Sequence, residues 1–148
     1  MKQLLILMIN SILFLNSSSQ SLEGEWKGTY TAYFPSTTTV NKYYDNDIKI
    51  DIILNEDSTY TVYSYAGKPY ARGHYADYKC EITCAILGDD NIMFVETKVV
   101  QPENGEACLK TMNLKIVKRK KSISLEGIWQ ANSSGCDNRG EINISKKL

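Results

Sequence analysis

Aromatic residues are concentrated in the first half of this chain, where they could offer flat faces and hydroxyl groups to a small ligand. All 10 tyrosines lie between Tyr30 and Tyr78. Such a wall suits an aromatic, sugar or amphipathic molecule. We predict an inward-facing ligand wall formed by Trp26, Tyr30, Tyr63 and Tyr65. The alternative is purely structural, because tyrosines make good cross-strand pairs and a buried tryptophan fills a core without any ligand.

Catalytic chemistry has a weaker basis in the sequence. His74 is the single histidine and stands near Asp77, so the two could form an acid–base pair. No Gly-x-Ser-x-Gly, His-Glu-x-x-His or phosphate-binding loop accompanies them. We therefore predict no enzyme activity, no cofactor and no metal site, with catalysis by His74 or an interior carboxylate as an alternative. The formal net charge of +0 at pH 7 argues against nucleic-acid binding, which needs a basic excess.

The four cysteines favour disulfide chemistry in an exported chain. Cys80 and Cys84 would lie roughly 13 Å apart in an extended strand, which is beyond disulfide reach. The expected register of the last long hairpin brings Cys108 opposite Ala131, a few residues before Cys136. We predict a Cys108–Cys136 disulfide, with Cys80 and Cys84 joined to each other or reduced. A four-cysteine zinc site is the alternative.

The first residues are typical of an export signal. Lys2 precedes an apolar run from Leu4 to Leu15, and Ser17-Ser18-Ser19 follows. The run is too short to span a bilayer. We predict that residues 1–19 are a cleaved signal peptide and that residues 20–148 form one domain of a secreted or periplasmic protein. The mature protein is expected to have no transmembrane segment.

Alternation of apolar and polar residues continues along the whole mature chain, without helical periodicity. From Leu22 to Phe34 the even positions are mostly apolar, and Ile48, Ile50 and Ile52 repeat the pattern. Short turns between such segments predict an all-β antiparallel up-and-down meander of eight or nine strands. A closed or nearly closed barrel leaves no exposed edge, and a two-sheet sandwich is the alternative.

Turn residues set the expected register of each hairpin. A four-residue turn at Asn55–Ser58 places Ile52 opposite Thr61 and points Tyr63 and Tyr65 inward. A turn at residues 88–91 places four residues of the following strand on the inward-facing positions, namely Met93, Val95, Thr97 and Val99. In the last long hairpin, we expect Ile116 opposite Ile123.

A five-residue pattern occurs near both ends of the mature chain. Leu22-Glu23-Gly24-Glu25-Trp26 returns as Leu125-Glu126-Gly127-Ile128-Trp129. A Leu-x-Gly-x-Trp alternation puts leucine, glycine and tryptophan on one face of a strand. We expect the two segments to mark the first and last strands, which meet to close a barrel.

The first of these segments carries a family resemblance. Gly24-x-Trp26 on the first strand of a small exported meander resembles the Gly-x-Trp signature of the calycin barrels, which include lipocalins and avidins. The chain departs from lipocalins because no helix follows its last strand, and because Trp129 is not part of their signature. The resemblance implies a barrel able to hold a small ligand.

Three functions are consistent with these features. The first is a non-enzymatic barrel that binds a small hydrophobic or aromatic molecule in its interior. The second is a filled barrel that acts through its surface, as an inhibitor or interaction module. The third is a hydrolase or isomerase that uses His74.

Overall fold

The computed structural model describes residues 21–34, 42–67, 73, 75, 77–102, 107–133, 136 and 138–148. These residues form eight strands, which are β1 (Gly24–Phe34), β2 (Lys42–Leu54), β3 (Tyr60–Ala66), β4 (Tyr78–Leu87), β5 (Asn91–Gln101), β6 (Lys110–Lys118), β7 (Ser122–Ala131) and β8 (Arg139–Lys147). Each strand pairs antiparallel with the next, and β8 pairs with β1 to close the ring. The predicted all-β up-and-down barrel is confirmed. Among the described residues, no helix is long and apolar enough to cross a membrane.

Alternate residues of each strand fill the barrel interior, because successive side chains of a strand point to opposite faces. The largest fully buried apolar side chains are Trp26, Phe94, Ile48, Ile50, Ile92, Met112, Ile123, Leu125 and Ile144. They come from six of the eight strands. One continuous apolar core therefore occupies much of the interior.

Glycines on both partners let β1 and β8 approach closely where the barrel closes. A Cβ atom at Gly28 would overlap the main-chain carbonyl oxygen of Asn143, and one at Gly140 would overlap that of Thr31. Backbone rather than a flexible side chain fills both spaces, so neither strand can give way locally. Closure of the barrel thus depends on the absence of a side chain at these two positions.

The two Leu-x-Gly-x-Trp segments do not meet at this seam, and that expectation is wrong. Trp129 lies on β7, and β8 stands between it and β1. The inward orientation of both tryptophans is confirmed, since Trp26 is 0% exposed and Trp129 is 2% exposed. The repeat marks inward-facing strands near the seam rather than the seam itself.

The two ends of the barrel differ in the length of their connections. At one end, called here the hairpin end, residues 55–59, 88–90 and 119–121 join the strands. At the other end, called the loop end, the connections are residues 35–41, 67–77, 102–109 and 132–138. Longer connections around a barrel mouth are a common place for a binding site.

The β2–β3 hairpin has a different register from the one predicted. Ile52 pairs with Val62, because the turn contains five residues instead of four. Ser58 has a φ of 66°, and the backbone N–H and hydroxyl of Thr59 both donate to the Asp57 carboxylate. These contacts hold Thr59 in the turn and shift β3 by one residue. A one-residue shift moves every side chain of β3 to the opposite face.

The β4–β5 hairpin differs in the opposite direction. Its turn is one residue shorter than predicted, because Gly88 adopts a φ of 75° and Leu87 pairs with Asn91. The facing positions of β5 are consequently Ile92, Phe94 and Glu96, and the predicted Met93, Val95 and Thr97 lie on the outer face. In the β6–β7 hairpin Ile116 pairs with Leu125. That two-residue shift leaves the inward face unchanged.

Candidate functional site

The half of the interior nearer the loop end contains polar side chains where the rest of the core is apolar. Asn46 on β2, Ser64 on β3 and Glu96 on β5 are buried in this layer. Lys110 at the start of β6 joins them, and its side chain is 11% exposed. Tyr30 on β1 completes the layer. Odd-numbered strands approach the loop end and even-numbered strands leave it, so five different strands contribute at one level.

A buried ion pair forms the centre of this layer. The Nζ atom of Lys110 lies 3.3 Å from Oε2 of Glu96, whose side chain is 1% exposed. The backbone N–H of Lys110 donates to the same oxygen at 2.9 Å. The hydroxyl of Ser64 donates to the other oxygen, Oε1, at 2.6 Å. Both oxygens of Glu96 are therefore hydrogen-bonded, which is the condition for placing a carboxylate inside a barrel.

Opposing effects act on the ammonium group of Lys110. Burial is the largest single effect and lowers the pKa of Lys110. The charge of Glu96, smaller effects of Tyr30 and Cys80, and the hydrogen bond to Glu96 together outweigh burial, so that the net effect raises that pKa above the ordinary value of a lysine. The ammonium also lies 5.4 Å from the ring centre of Tyr30 and 5.8 Å from that of Trp129. Both distances are within cation–π range. Lys110 is accordingly a fixed positive charge at neutral pH.

Two aromatic rings border the ammonium. Tyr30 and Trp129 meet edge to face with their centres 5.6 Å apart. The Nδ2 atom of Asn46 donates to the Tyr30 hydroxyl at 3.1 Å. The indole N–H of Trp129 donates to the carbonyl of Thr31 at 2.7 Å. These bonds fix both ring orientations, so the layer presents a charge, a hydroxyl and two aromatic rings in a set geometry.

Cys80 lies next to the ion pair, in surroundings that favour the neutral thiol. Burial and the nearby Glu96 charge raise the pKa of Cys80 to about 11. Its thiol interacts with the hydroxyl of Ser64. A thiol with this pKa is almost entirely protonated at neutral pH, and only the thiolate attacks substrates. Cys84 is also a free thiol, so the predicted alternative in which these two cysteines stay reduced applies.

The structure separates the four predicted ligand-wall residues. Tyr30 alone belongs to the polar layer. Trp26 lies toward the hairpin end, where its indole N–H donates to the carbonyl of Leu22 at 2.9 Å and the Lys146 ammonium lies 5.0 Å from its ring centre. It closes that end of the core. This matches the structural alternative for the tryptophan.

Tyr63 and Tyr65 lie on the outer face of β3, and the prediction that they point inward is wrong. Val62, Ser64 and Ala66 take the interior positions because of the five-residue turn. The Lys79 ammonium lies 4.0 Å from the ring centre of Tyr63, and the Lys49 ammonium lies 4.1 Å from that of Tyr65. Lysine and tyrosine thus form cross-strand pairs on the outer surface.

Sequence reasoning missed Asn46, Ser64, Glu96 and Lys110. The signal for one of them is visible in retrospect, because Glu96 continues the Ile92–Phe94 alternation of β5. The other three have residue types that also suit a solvent-exposed position. Only the correct register brings them together.

The predicted disulfide between Cys108 and Cys136 is confirmed. It joins the connection before β6 to the connection before β8, at the loop end. The hydroxyl of Ser133 accepts from the backbone N–H of Leu109 at 2.8 Å, and the backbone N–H of Cys136 donates to the carbonyl of Ser133 at 3.2 Å. Disulfide and hydrogen bonds together fix this side of the barrel mouth. His74 and residues 1–19 lie outside the described residues.

Known proteins give no further guidance to this site. Comparisons with protein-family models, with curated proteins and with solved structures find no match for the chain. Within the described ranges, no group of three His, Cys, Asp or Glu side chains is placed to hold a metal ion. The chemistry of the polar layer itself must therefore indicate the function.

Proposed function

We propose that this protein is an exported, non-enzymatic barrel that binds a small hydrophobic or aromatic molecule at the loop end of its interior. The observation that carries the proposal is the buried Glu96–Lys110 pair beside Tyr30 and Trp129. The calycin-like strand order supports the same function by resemblance. The Cys108–Cys136 disulfide agrees with an oxidising, exported environment.

The ion pair points to binding because it is a poor means of stabilising a core. Replacing a buried ion pair by apolar side chains is often neutral or stabilising. The rest of this interior is apolar. Buried and electrostatically perturbed groups cluster at functional sites more than elsewhere. We therefore assign the polar layer a role in recognition rather than in folding.

The same geometry disfavours catalysis. Each carboxylate oxygen of Glu96 already accepts a hydrogen bond, and Oε2 accepts two from Lys110. A general base must direct a lone pair at the substrate proton, whereas the Ser64 hydroxyl and the Lys110 ammonium already lie in front of the two oxygens of Glu96. Cys80, with a pKa of about 11, is a thiol rather than a thiolate. We therefore propose that neither group takes part in covalent or acid–base chemistry.

The polar layer also suggests which atoms of a ligand it would meet. A lysine ammonium has three donors, and among the described residues one is matched by the Glu96 carboxylate. The remaining donors suit an acceptor oxygen, while Tyr30 and Trp129 suit an aromatic or aliphatic body. An amphipathic molecule with an oxygen-bearing end meets both conditions.

The test uses a fluorescent aromatic anion, anilinonaphthalene sulfonate, as the probe. We expect the probe to bind wild-type protein. The Glu96→Gln/Lys110→Met variant should bind it at least about tenfold more weakly, which corresponds to a loss of about 1.4 kcal/mol of binding free energy. The matched control is Lys49→Met/Asp51→Asn, which removes an ion pair of the outer face. Native mass spectrometry of protein isolated from its own host identifies any molecule that copurifies.

Two results would contradict the proposal. One is the absence of both probe binding and a copurifying molecule. The other is equal weakening by the interior variant and the outer-face control. Circular dichroism and thermal unfolding confirm that each variant is folded before binding is measured.

A further inference from the structure

The hairpin end of the barrel exposes large apolar side chains. Ile53 and Leu54 precede the β2–β3 turn and are 47% and 42% exposed, and Ile86 and Leu87 precede the β4–β5 turn and are 52% and 50% exposed. Leu148, which is 60% exposed, lies beside the β6–β7 turn because its backbone N–H donates to the carbonyl of Lys121. Apolar residues grouped at one end of a small protein are typical of a contact surface.

Charges at the same end are divided into two halves. The β2–β3 turn carries Glu56 and Asp57, and the β4–β5 turn carries Asp89 and Asp90. The next turn around the ring, between β6 and β7, is basic, with neighbouring lysines at the end of β6 and of β8. This basic group consists of Lys118, Arg119, Lys120, Lys121 and Lys147.

Most of these charges have no partner within the described protein. Arg119 pairs with Glu126, and Asp90 pairs with Lys115. No ion pair or side-chain hydrogen bond joins Glu56, Asp89 or the four lysines of the basic group to another described residue. One end thus combines an acidic half, a basic half and exposed apolar side chains beside the turns of both halves.

From these features we infer that the hairpin end is a self-association surface, and that its partner is a second copy of this chain. A twofold axis lying in the plane of the end places the acidic half of one copy against the basic half of the other. An isologous contact of this kind is the commonest interface of homo-oligomers. The formal net charge of +0 means that no overall repulsion opposes it.

The division of the hairpin end into an acidic and a basic half also favours a second copy of the chain over an anionic surface as the partner. A flat anionic surface would attract the basic half, but it would meet Glu56 and Asp89 on adjacent turns of the same end. The barrel is about 16 Å across, given strands about 4.8 Å apart and tilted by about 40°. A flat surface that contacts the lysines would therefore also contact the acidic turns. A second copy instead satisfies both halves.

The size of the end predicts a weak dimer. With side chains the end covers about 500 Å² per copy, which is below the about 800 Å² of a standard interface. We expect a dissociation constant of about 10 to 100 µM at low salt. Raising the salt should weaken association by about tenfold or more, because the contact relies on exposed charges. The interaction is independent of the polar layer, which lies toward the opposite end.

Sedimentation velocity over about 5 to 500 µM protein tests this inference, since that range spans the expected constant. Two charge-reversed variants are compared, one basic (Glu56→Lys/Asp89→Lys) and one acidic (Lys120→Glu/Lys121→Glu). All four substitutions are at exposed turn positions, so the fold is expected to tolerate them. The control Lys98→Glu/Arg139→Glu changes the net charge as much as the acidic variant, but on exposed residues away from the hairpin end.

We expect wild type and control to dimerise, each reversed variant to be monomeric, and an equimolar mixture of the two variants to form a heterodimer. Restored association in the mixture is the decisive result, because a merely misfolded variant would not regain it. A monomeric wild type over the whole range overturns the inference, and so does a mixture that stays monomeric. Loss of self-association in the control also contradicts it.

Discussion

Removing the positive charge of Lys110 should destabilise the protein far more than removing the ion pair as a whole. In the Lys110→Met variant the aliphatic stem is kept, and Oε1 and Oε2 of Glu96 retain the Ser64 hydroxyl and one backbone N–H. The variant loses the ammonium group, which in wild type lies 3.3 Å from Oε2 of Glu96, a side chain that is 1% exposed. The variant therefore contains a buried charge with no counter-charge.

The size of the effect follows from the geometry. At 3.3 Å and an effective dielectric constant of about 20, the attraction is about 5 kcal/mol, which is an upper bound on the net contribution. Breaking a buried pair on one side typically costs about 3 to 5 kcal/mol, so we expect a loss of about 3 to 4 kcal/mol for Lys110→Met. Glu96→Gln should cost about 2 kcal/mol, because the ammonium can turn toward solvent. The double variant should lie within about 1 kcal/mol of wild type.

The assay is equilibrium urea unfolding at neutral pH, with all four proteins in a double-mutant cycle. The folded-state pKa of Lys110 is raised above its ordinary 10.5, so the pair contributes fully below that pH and loses its contribution as the pH rises through the folded-state value. Neutral pH therefore reports the whole coupling. Additive single variants, or a Lys110→Met variant within about 1 kcal/mol of wild type, would refute the reasoning.

Three further predictions concern the cysteines and the core. The Cys108→Ala/Cys136→Ala variant should lose about 3.5 kcal/mol of unfolding free energy in urea, from the entropy of a loop with a sequence separation of 28, and an unchanged midpoint would contradict this. In a Cys84→Ser variant at mildly alkaline pH, Cys80 should react with a disulfide reagent about 100-fold more slowly than an exposed thiol, because its pKa rises from 9.0 to about 11. A fast reaction of Cys80 in the folded protein would exclude the buried position. Trp26→Ala should cost about 3 to 5 kcal/mol, since the side chain is 0% exposed, and thermal unfolding near the wild-type midpoint would show that it does not close the core.

The fold could be predicted from the sequence because its main signal does not depend on register. Apolar residues alternate from Leu22 to Phe34 and again along later segments, and the turns between them are short. Those two features favour an antiparallel meander regardless of the register in which neighbouring strands pair. The disulfide was predictable for a related reason. The β6–β7 register differs by two residues from the expected one, and an even shift keeps Cys108 on the side facing Cys136.

The ligand wall was wrong at Tyr63 and Tyr65, and Glu96 of the polar layer was missed, because both depend on single residues in two turns. Ser58 in a left-handed conformation lengthens one turn, and Gly88 at a φ of 75° shortens the other. Each changes the register by one residue and exchanges the two faces of a strand. Tyr63 and Tyr65 consequently move to the outer face, and Glu96 moves to the interior. The composition of the β2–β3 turn does not decide whether it contains four or five residues. The composition of the β4–β5 turn likewise does not decide between three and four.

Strand β5 shows why a site of this kind escapes sequence reasoning. Both faces of β5 are apolar, with Ile92 and Phe94 on one and Met93 and Val95 on the other, so burial alone does not distinguish them. The usual preference for charge outside then selects the face that leaves Glu96 in solvent. In the structure Glu96 is inside, because Ser64 and Lys110 supply partners from two other strands. Residues that break the burial rule are expected at functional sites, so the rule that identifies the strands also conceals the polar layer.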